Sequence, residues 1–335
     1  MDKQNIKKIL IVSLLVFGLL KVQAQQNVQF TQYIFNSLSV NPAYAGYKEE
    51  WFAQMALRSQ WSGLDGAPKT GQVSIDGVLG ARKTNGVGLQ ITADQLGAQS
   101  ATSIYANYAY RLQLNDEDSQ RLSFGVGLGA TQYGLDGNKL QGVSPNDPLR
   151  PAGKINSFVP DLRFGVYYYT AKWYAGASVM DLLSGDQSNN IFRWDGNTTS
   201  NLKRKRHMYL LGGAIFKLSE DTRLRSSLLI KEDFRGPTDF DLNAMFIFGQ
   251  RVWLGASYRM GVNIGGKDYD EGQDLRSRNA VAGVAQFFVT ERLRIGYSYD
   301  YILSRLSSVQ NGTHEITIGV TIPERVRRLI SPRFF

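Results

Sequence analysis

The chain has no cysteine in 335 residues, so disulfides, thiolate nucleophiles and cysteine-bound metals are excluded. Proline is scarce at 9 residues, which rules out collagen and proline-rich low-complexity classes. Histidine occurs twice, so any imidazole base must be His207 or His314. Runs of like charge are nearly missing as well. The formal net charge is +9, but the charges are scattered among turns and only Lys203-Arg204-Lys205-Arg206 forms a block. A nucleic-acid binder gathers its positive charge on one face, so nucleic acid is not an expected partner. The block reads as a solvated loop near anionic lipid. Long apolar segments are absent beyond the N-terminus: none reaches the roughly 18 residues that a transmembrane helix needs.

What is present begins with an export signal. Lys3, Lys7 and Lys8 precede the apolar stretch from Ile9 to Leu20, and Val22-Gln23-Ala24 supplies small residues for cleavage. Residues 1–24 therefore read as a secretory signal peptide. From Trp51 to Ile322 the chain then alternates apolar with small or polar residues in about fourteen short segments. Leu122, Phe124, Val126 and Leu128 alternate with Ser123, Gly125, Gly127 and Gly129. Strand side chains alternate faces, so one face is apolar and the other small or polar. In an exported chain without a helical anchor, this pattern points to a membrane β-barrel with its apolar face toward lipid.

Strands are expected near 51–60, 70–79, 86–95, 101–113, 121–133, 158–169, 172–181, 206–217, 222–231, 239–248, 251–260, 279–288, 292–302 and 313–322. Long connections (61–69, 134–157, 182–205, 232–238, 261–278, 303–312) alternate with short ones, and only 96–100 is short where a long one belongs. Bacterial outer-membrane barrels have short periplasmic turns and longer outer loops. Both termini are therefore expected in the periplasm, in a multi-pass outer-membrane barrel. Leu293, Ile295, Tyr297, Tyr299 and Tyr301 should face lipid, with Arg294, Gly296, Ser298 and Asp300 inside. Ile316, Ile318, Val320 and Ile322 should also face lipid, and Glu315, Thr317 and Thr321 the lumen. Tyr167, Tyr168, Trp173, Tyr174 and Trp253 lie near strand ends, where interfacial rings sit. Residues 25–50 lack the period of two and break at Asn41-Pro42, so they read as a periplasmic segment or a plug at the periplasmic mouth. Residues 323–335 form a basic periplasmic tail.

No arrangement of residues points to catalysis. A Ser-His-Asp hydrolase needs nucleophile, base and orienter together. Here His207 and His314 each stand alone at an outer strand start and read as solvated polar residues. Asp268, Asp270, Glu271 and Asp274 form an acidic group without the spacing of a calcium loop, so no metal site is assigned. The alternating glycines do not open a helix and cradle no phosphate, so no cofactor is implied. The long loop 182–205 carries Ile191, Phe192 and Trp194 amid polar residues. These either mark an external protein interface or fold down into the lumen.

Two blocks near the N-terminus carry a resemblance. Gln29-Phe30-Thr31-Gln32-Tyr33, followed by Asn41-Pro42-Ala43-Tyr44-Ala45-Gly46, resembles the opening of the PorP/SprF family. A second block, Arg58-Ser59-Gln60-Trp61 and Gly66-Ala67-Pro68-Lys69-Thr70, matches as well. The resemblance implies an outer-membrane component of the type IX secretion system of Bacteroidetes. Its implied partners are a type IX-secreted surface protein or adhesin, including those used in gliding, and a periplasmic peptidoglycan-binding component. Phe30, Gln32, Tyr33, Asn41, Pro42, Tyr44, Gly46, Trp61, Gly66 and Pro68 are thereby candidate docking residues. Elementary chemistry also gives them structural roles. Pro42 fixes an angle, Gly46 allows positive φ or close approach, and Gly66-Ala67-Pro68 makes a tight outer turn. Trp61 belongs either to the interface belt or to a wedge in the lumen. The expectation is an all-β, up-and-down antiparallel barrel of about fourteen strands that docks partners without catalysis. The alternative is a passive, porin-like diffusion channel.

Overall fold

Alternation along each strand and tight turns between them let neighbouring segments pair in sequence, and fourteen strands close into one antiparallel barrel. The computed structural model describes residues 28–140, 151, 153–184, 192, 205–234, 236–249, 251–264 and 279–323. The first seven strands are β1 (Trp51–Ser59), β2 (Lys69–Leu79), β3 (Asn85–Leu96), β4 (Gln99–Gln113), β5 (Gln120–Asp136), β6 (Lys154–Thr170) and β7 (Trp173–Met180). The remainder are β8 (His207–Lys217), β9 (Thr222–Glu232), β10 (Thr238–Phe248), β11 (Val252–Val262), β12 (Ala280–Phe288), β13 (Leu293–Ile302) and β14 (Thr313–Ile322). β1 closes on β14, with Met55 opposite Ile318 and Arg58 opposite Glu315. No sheet edge remains, which satisfies every strand's backbone without water.

The expected strands all form, and most boundaries fall within two residues of the reading. β5 and β6 run further, pairing out to Asp136 with Lys154, so that connection is shorter than 134–157. The exceptional 96–100 connection is a tight turn at Gly97, whose φ of 56° suits glycine. Faces follow the expected parity. Tyr297, Tyr301 and Ile316 point outward, whereas Arg294, Ser298, Asp300, Glu315 and Thr317 are buried inside. Leu128, Val73 and Ile104 belong to the same outward apolar surface.

The lumen is not an open, polar channel. Residues 28–50 run inside the barrel through three short 3-10 turns at Tyr33–Phe35, Ser37–Ser39 and Pro42–Tyr44. This corrects the expectation of a segment packed at the mouth. The segment starts near Asp239, at the end of the barrel bearing the long loops, and leaves at Trp51, at the end bearing the short turns. Its apolar residues Tyr33, Ile34, Phe35, Leu38 and Tyr44 meet inward-facing Leu229, Met245, Val284 and Tyr167. The hydrophobic core therefore sits within the barrel, around this plug. A filled lumen needs rings on its inner wall, which revises the expected girdle. Tyr167 and Tyr174 point inward and Trp253 packs against the same core, whereas Trp173 is exposed beside Tyr168.

The same packing explains two of the inward glycines. A Cβ on Gly125 would overlap the backbone of Ala43, and one on Gly86 would overlap the carbonyl of Ala45. Close backbone approach of plug and wall requires glycine at these two places.

Candidate functional site

The two sequence blocks that carry the resemblance meet at the plug. Arg58, from β1, donates through Nη1 to Glu315 Oε2 at 2.8 Å and through Nη2 to Asp300 Oδ2 at 2.8 Å. The same Nη1 reaches the hydroxyl of Thr31 at 2.9 Å, and that hydroxyl donates to Asp300 at 2.6 Å. The backbone N–H groups of Thr31 and Gln32 donate to the two oxygens of Glu315 at 2.8 and 2.9 Å. Thr317 then donates to the side-chain oxygen of Gln32 at 2.8 Å. Arg58, Asp300 and Glu315 are all buried. A buried carboxylate is stable only when charge and donors surround it, and here the plug backbone supplies two of the donors. The plug and the wall each leave the other's polar groups unsatisfied if they part.

Further along, Asn41 serves as a second latch. Its side-chain oxygen accepts from Ala43 N at 2.9 Å, capping the turn at Pro42, while Nδ2 donates to Val166 O at 3.0 Å and Ala177 O at 3.3 Å. Tyr33 accepts from Asn243 at 2.9 Å. Tyr44 stacks on Tyr47 with centroids 4.9 Å apart. Gly46 adopts φ 74° and donates its N–H to Asp76 at 3.0 Å, close against Val78 and Gly86. Phe30, Gln32, Tyr33, Asn41, Pro42 and Tyr44 are thus buried in the barrel, holding the plug rather than offering a face to a partner.

Trp61, Gly66 and Pro68 lie elsewhere, in the β1–β2 loop at the long-loop rim. Trp61 is half-buried and donates its N–H to the hydroxyl of Thr313 at 3.2 Å. Gly66 has φ 74°, and its carbonyl accepts from Gly97 at 2.9 Å; Pro68 O accepts from Gln60 at 2.9 Å. This block ties three rim connections together, because Ser62 also donates to Gly312 O and accepts from Asn311 N in the β13–β14 loop.

Of the aromatic loop candidates, Ile191 and Trp194 lie outside the described residues. Phe192 is buried and packs with Leu135, flanked by Tyr133 and Ile155, where β5 and β6 rise above the barrel. Nor do the histidines assemble a hydrolase. His207 Nδ1 lies 3.2 Å from Asp181, an orienting partner, but among the described residues its Nε2 meets no hydroxyl. His314 lies 2.7 Å from the hydroxyl of Tyr297. His207, Asp181, Val28 and Phe30 line a cavity of about 140 Å³ in the long-loop half. The acidic group Asp268, Asp270, Glu271 and Asp274 and the basic tail beyond Pro323 lie outside the described residues.

At the short-turn end, Glu49 closes the plug. It pairs with Lys83 at 3.1 Å and Arg111 at 3.0 Å. Burial works to raise the Glu49 carboxyl, but the hydrogen bonds from Lys83 and Arg111 outweigh it and hold the group below the usual carboxylate range. Sequence reasoning missed the Arg58–Asp300–Glu315 network and, at the opposite end, the Glu49 clasp. The inward parity of Asp300 and Glu315 was legible, but which plug residue each would meet was not.

Comparison with known proteins agrees with this architecture. A family model described as "Type IX secretion system membrane protein PorP/SprF" matches residues 22–320. No curated protein matches the sequence. Among solved structures, the Ralstonia pickettii toluene transporter TbuX is similar with a TM-score of 0.53 and 11% identity, covering 86% of this chain and 93% of its own. The CymD monoaromatic hydrocarbon channel is similar with a TM-score of 0.52 and 10% identity, covering 89% of this chain and 94% of its own. At such identity these likenesses concern the fold alone.

Proposed function

Because the chain belongs to the PorP/SprF family of type IX secretion system membrane proteins, an outer-membrane barrel family, we propose that it works by holding partners rather than by conducting or converting a substrate. The partners are a type IX-secreted surface protein, such as an adhesin, on the long-loop side, and a periplasmic machine component on the short-turn side. The short turns and the junction at Trp51 then lie in the periplasm. The observation that carries this reading is the plug: residues 28–50 occupy the lumen and donate to the buried Asp300 Oδ2 and to both oxygens of Glu315. A diffusion pore keeps its lumen polar and hydrated.

The runner-up, a passive channel, is favoured only by the fold it shares with the toluene transporter and the hydrocarbon channel. Planar-bilayer recording separates the two. The native barrel should show no steady conductance. Arg58→Met should open it, since an unpaired pair of buried carboxylates costs about 3–5 kcal/mol and loosens the plug. Steady conductance of the native protein would favour the channel. Affinity purification from native outer membranes should recover a secreted surface protein or a periplasmic component, and replacing both His207 and His314 should leave that association intact. A barrel that keeps no partner, or loses activity with the histidine pair alone, would overturn the anchoring role.

A further inference from the structure

Among the described residues, most buried cations of the barrel are paired with a carboxylate, and those around one cavity are not. Toward the long loops each has a carboxylate: Arg58 with Asp300 and Glu315, and Lys231 and Arg259 with Asp241 at 2.6 Å each. Toward the short turns Arg111 and Arg121 pair with Glu49 and Asp118, whereas the cations around one cavity lack such a partner. This cavity, of about 330 Å³, is lined by Lys48, Lys172, Arg225, Arg292 and Arg294, and by no Asp or Glu. The inner three cations lie against rings instead. Lys48 Nζ sits 2.8 Å from the centre of the Phe52 ring. The Arg294 guanidinium lies 4.6 Å from Phe52 and 5.2 Å from Phe35, and that of Arg225 lies 6.0 Å from Trp253. Rings supply part of the missing negative potential but not a counter-charge.

Several donors here also lack an acceptor. Arg294 Nη2 donates to Phe35 O and to Gln54, but its Nε has no protein partner. Arg225 Nε and Trp253 Nε1 are likewise buried without one. Arg294 is only 7% exposed. Burial and the neighbouring Arg294 push the Lys48 ammonium well below its usual range, and Asp76 only partly opposes them. Crowded cations, unanswered N–H groups and aromatic walls around a space large enough for a small ligand call for an anion with a flat or apolar body.

The geometry points to this cavity as a binding site for a carboxylate carried on an aromatic or apolar body, entering from the short-turn side, with Arg225, Arg294 and Lys48 holding the oxyanion and the rings holding the body. A free aromatic acid and an acidic side chain within an apolar peptide share this chemistry. The inference stands apart from the anchoring reading, because it concerns a ligand chemistry and not which protein is held.

The test uses the full purified barrel in detergent, with titration calorimetry and tryptophan fluorescence, since Trp173 and Trp253 line the cavity. The probes are phenylpropionate, its uncharged amide, inorganic phosphate, and an amide-capped peptide with one Glu between two Phe. Phenylpropionate should bind saturably, with the amide and phosphate each at least tenfold weaker. Arg225→Gln and Arg294→Gln should each weaken binding about tenfold, Arg225→Lys less, and Arg163→Gln in the opposite half not at all. Heat-modifiable gel mobility checks that each variant is folded. If a variant fails to fold, the contrast between acid, amide and phosphate on the native barrel still decides. Competition by the peptide would assign the site to a polypeptide segment; binding of the free acid alone would assign it to a small molecule. Equal binding of acid and amide, equal binding of phosphate, or no saturable binding of either carboxylate would overturn the proposal.

Discussion

Glu49 sits where the plug hands over to the first strand, and its environment makes a prediction about pH. Its carboxyl is held below the ordinary value of about 4.3 in the fold. A group whose folded pKa is depressed contributes stability that is present above the unfolded value and lost as pH falls through the folded one. The difference in melting temperature between the native barrel and Glu49→Gln should therefore be constant near neutrality and shrink only below about pH 4. A difference unchanged down to pH 3 would mean the clasp with Lys83 and Arg111 adds nothing. A second residue-scale prediction concerns β14. Ile318 faces outward, so Ile318→Arg near mid-membrane should cost about 2–4 kcal/mol. The polar parity of Thr317 suggests that a charge there is harmless. The structure reverses that, because Thr317 is buried beneath Gln32 and donates to it. Thr317→Arg should be at least as damaging as Ile318→Arg, measured by urea unfolding followed through heat-modifiable mobility. A mild Thr317→Arg would mean that the plug is not seated at Gln32.

Elements were more legible than what fills them. Strand number, turn parity and face assignment followed from a period of two, because one face of every strand meets lipid and tolerates little but apolar side chains. The boundaries that moved, at β5 and β6, lie at the long-loop end, where the alternation of apolar and small residues does not mark the end of pairing. The plug was harder to read. Residues 28–50 have no period because they touch wall on all sides, and their partners lie up to 285 positions away along the chain. One trace was present: glycine on the inward parity of β5, which reads alone as a small lumenal face and in the structure as room for Ala43. It makes a prediction at the scale of the element. Gly125→Leu should expel or distort the plug at a cost of about 1–3 kcal/mol or more and raise conductance. Gly283→Ala, with nothing within 4 Å of the added carbon, should be neutral. Equal effects of the two on stability and conductance would separate the plug from the inward glycines.

At the scale of the whole molecule, the two ends of the barrel differ in kind. The long-loop end is stitched at its rim by the β1–β2 and β13–β14 loops, and the buried charges below it are paired. The short-turn end carries the Glu49 clasp and a cavity rich in unpaired cations. An anchor that holds a secreted protein on one side and a machine component on the other needs such asymmetry, but only if the ends face the compartments proposed. The missing cysteine makes this directly measurable, since any single introduced thiol is the sole reactive one. Leu64 is exposed in the β1–β2 loop and Asp116 is exposed in the β4–β5 turn at the opposite end. With a membrane-impermeant maleimide, Leu64→Cys should label on intact cells, and Asp116→Cys only after the outer membrane is permeabilised. Both substitutions lie outside the strands and touch neither the plug nor the rim bonds of Gly66, so folding should be unchanged. Labelling in the reverse order would turn the barrel over. The cation-rich cavity would then open to the cell exterior, and a periplasmic partner could not be what meets it.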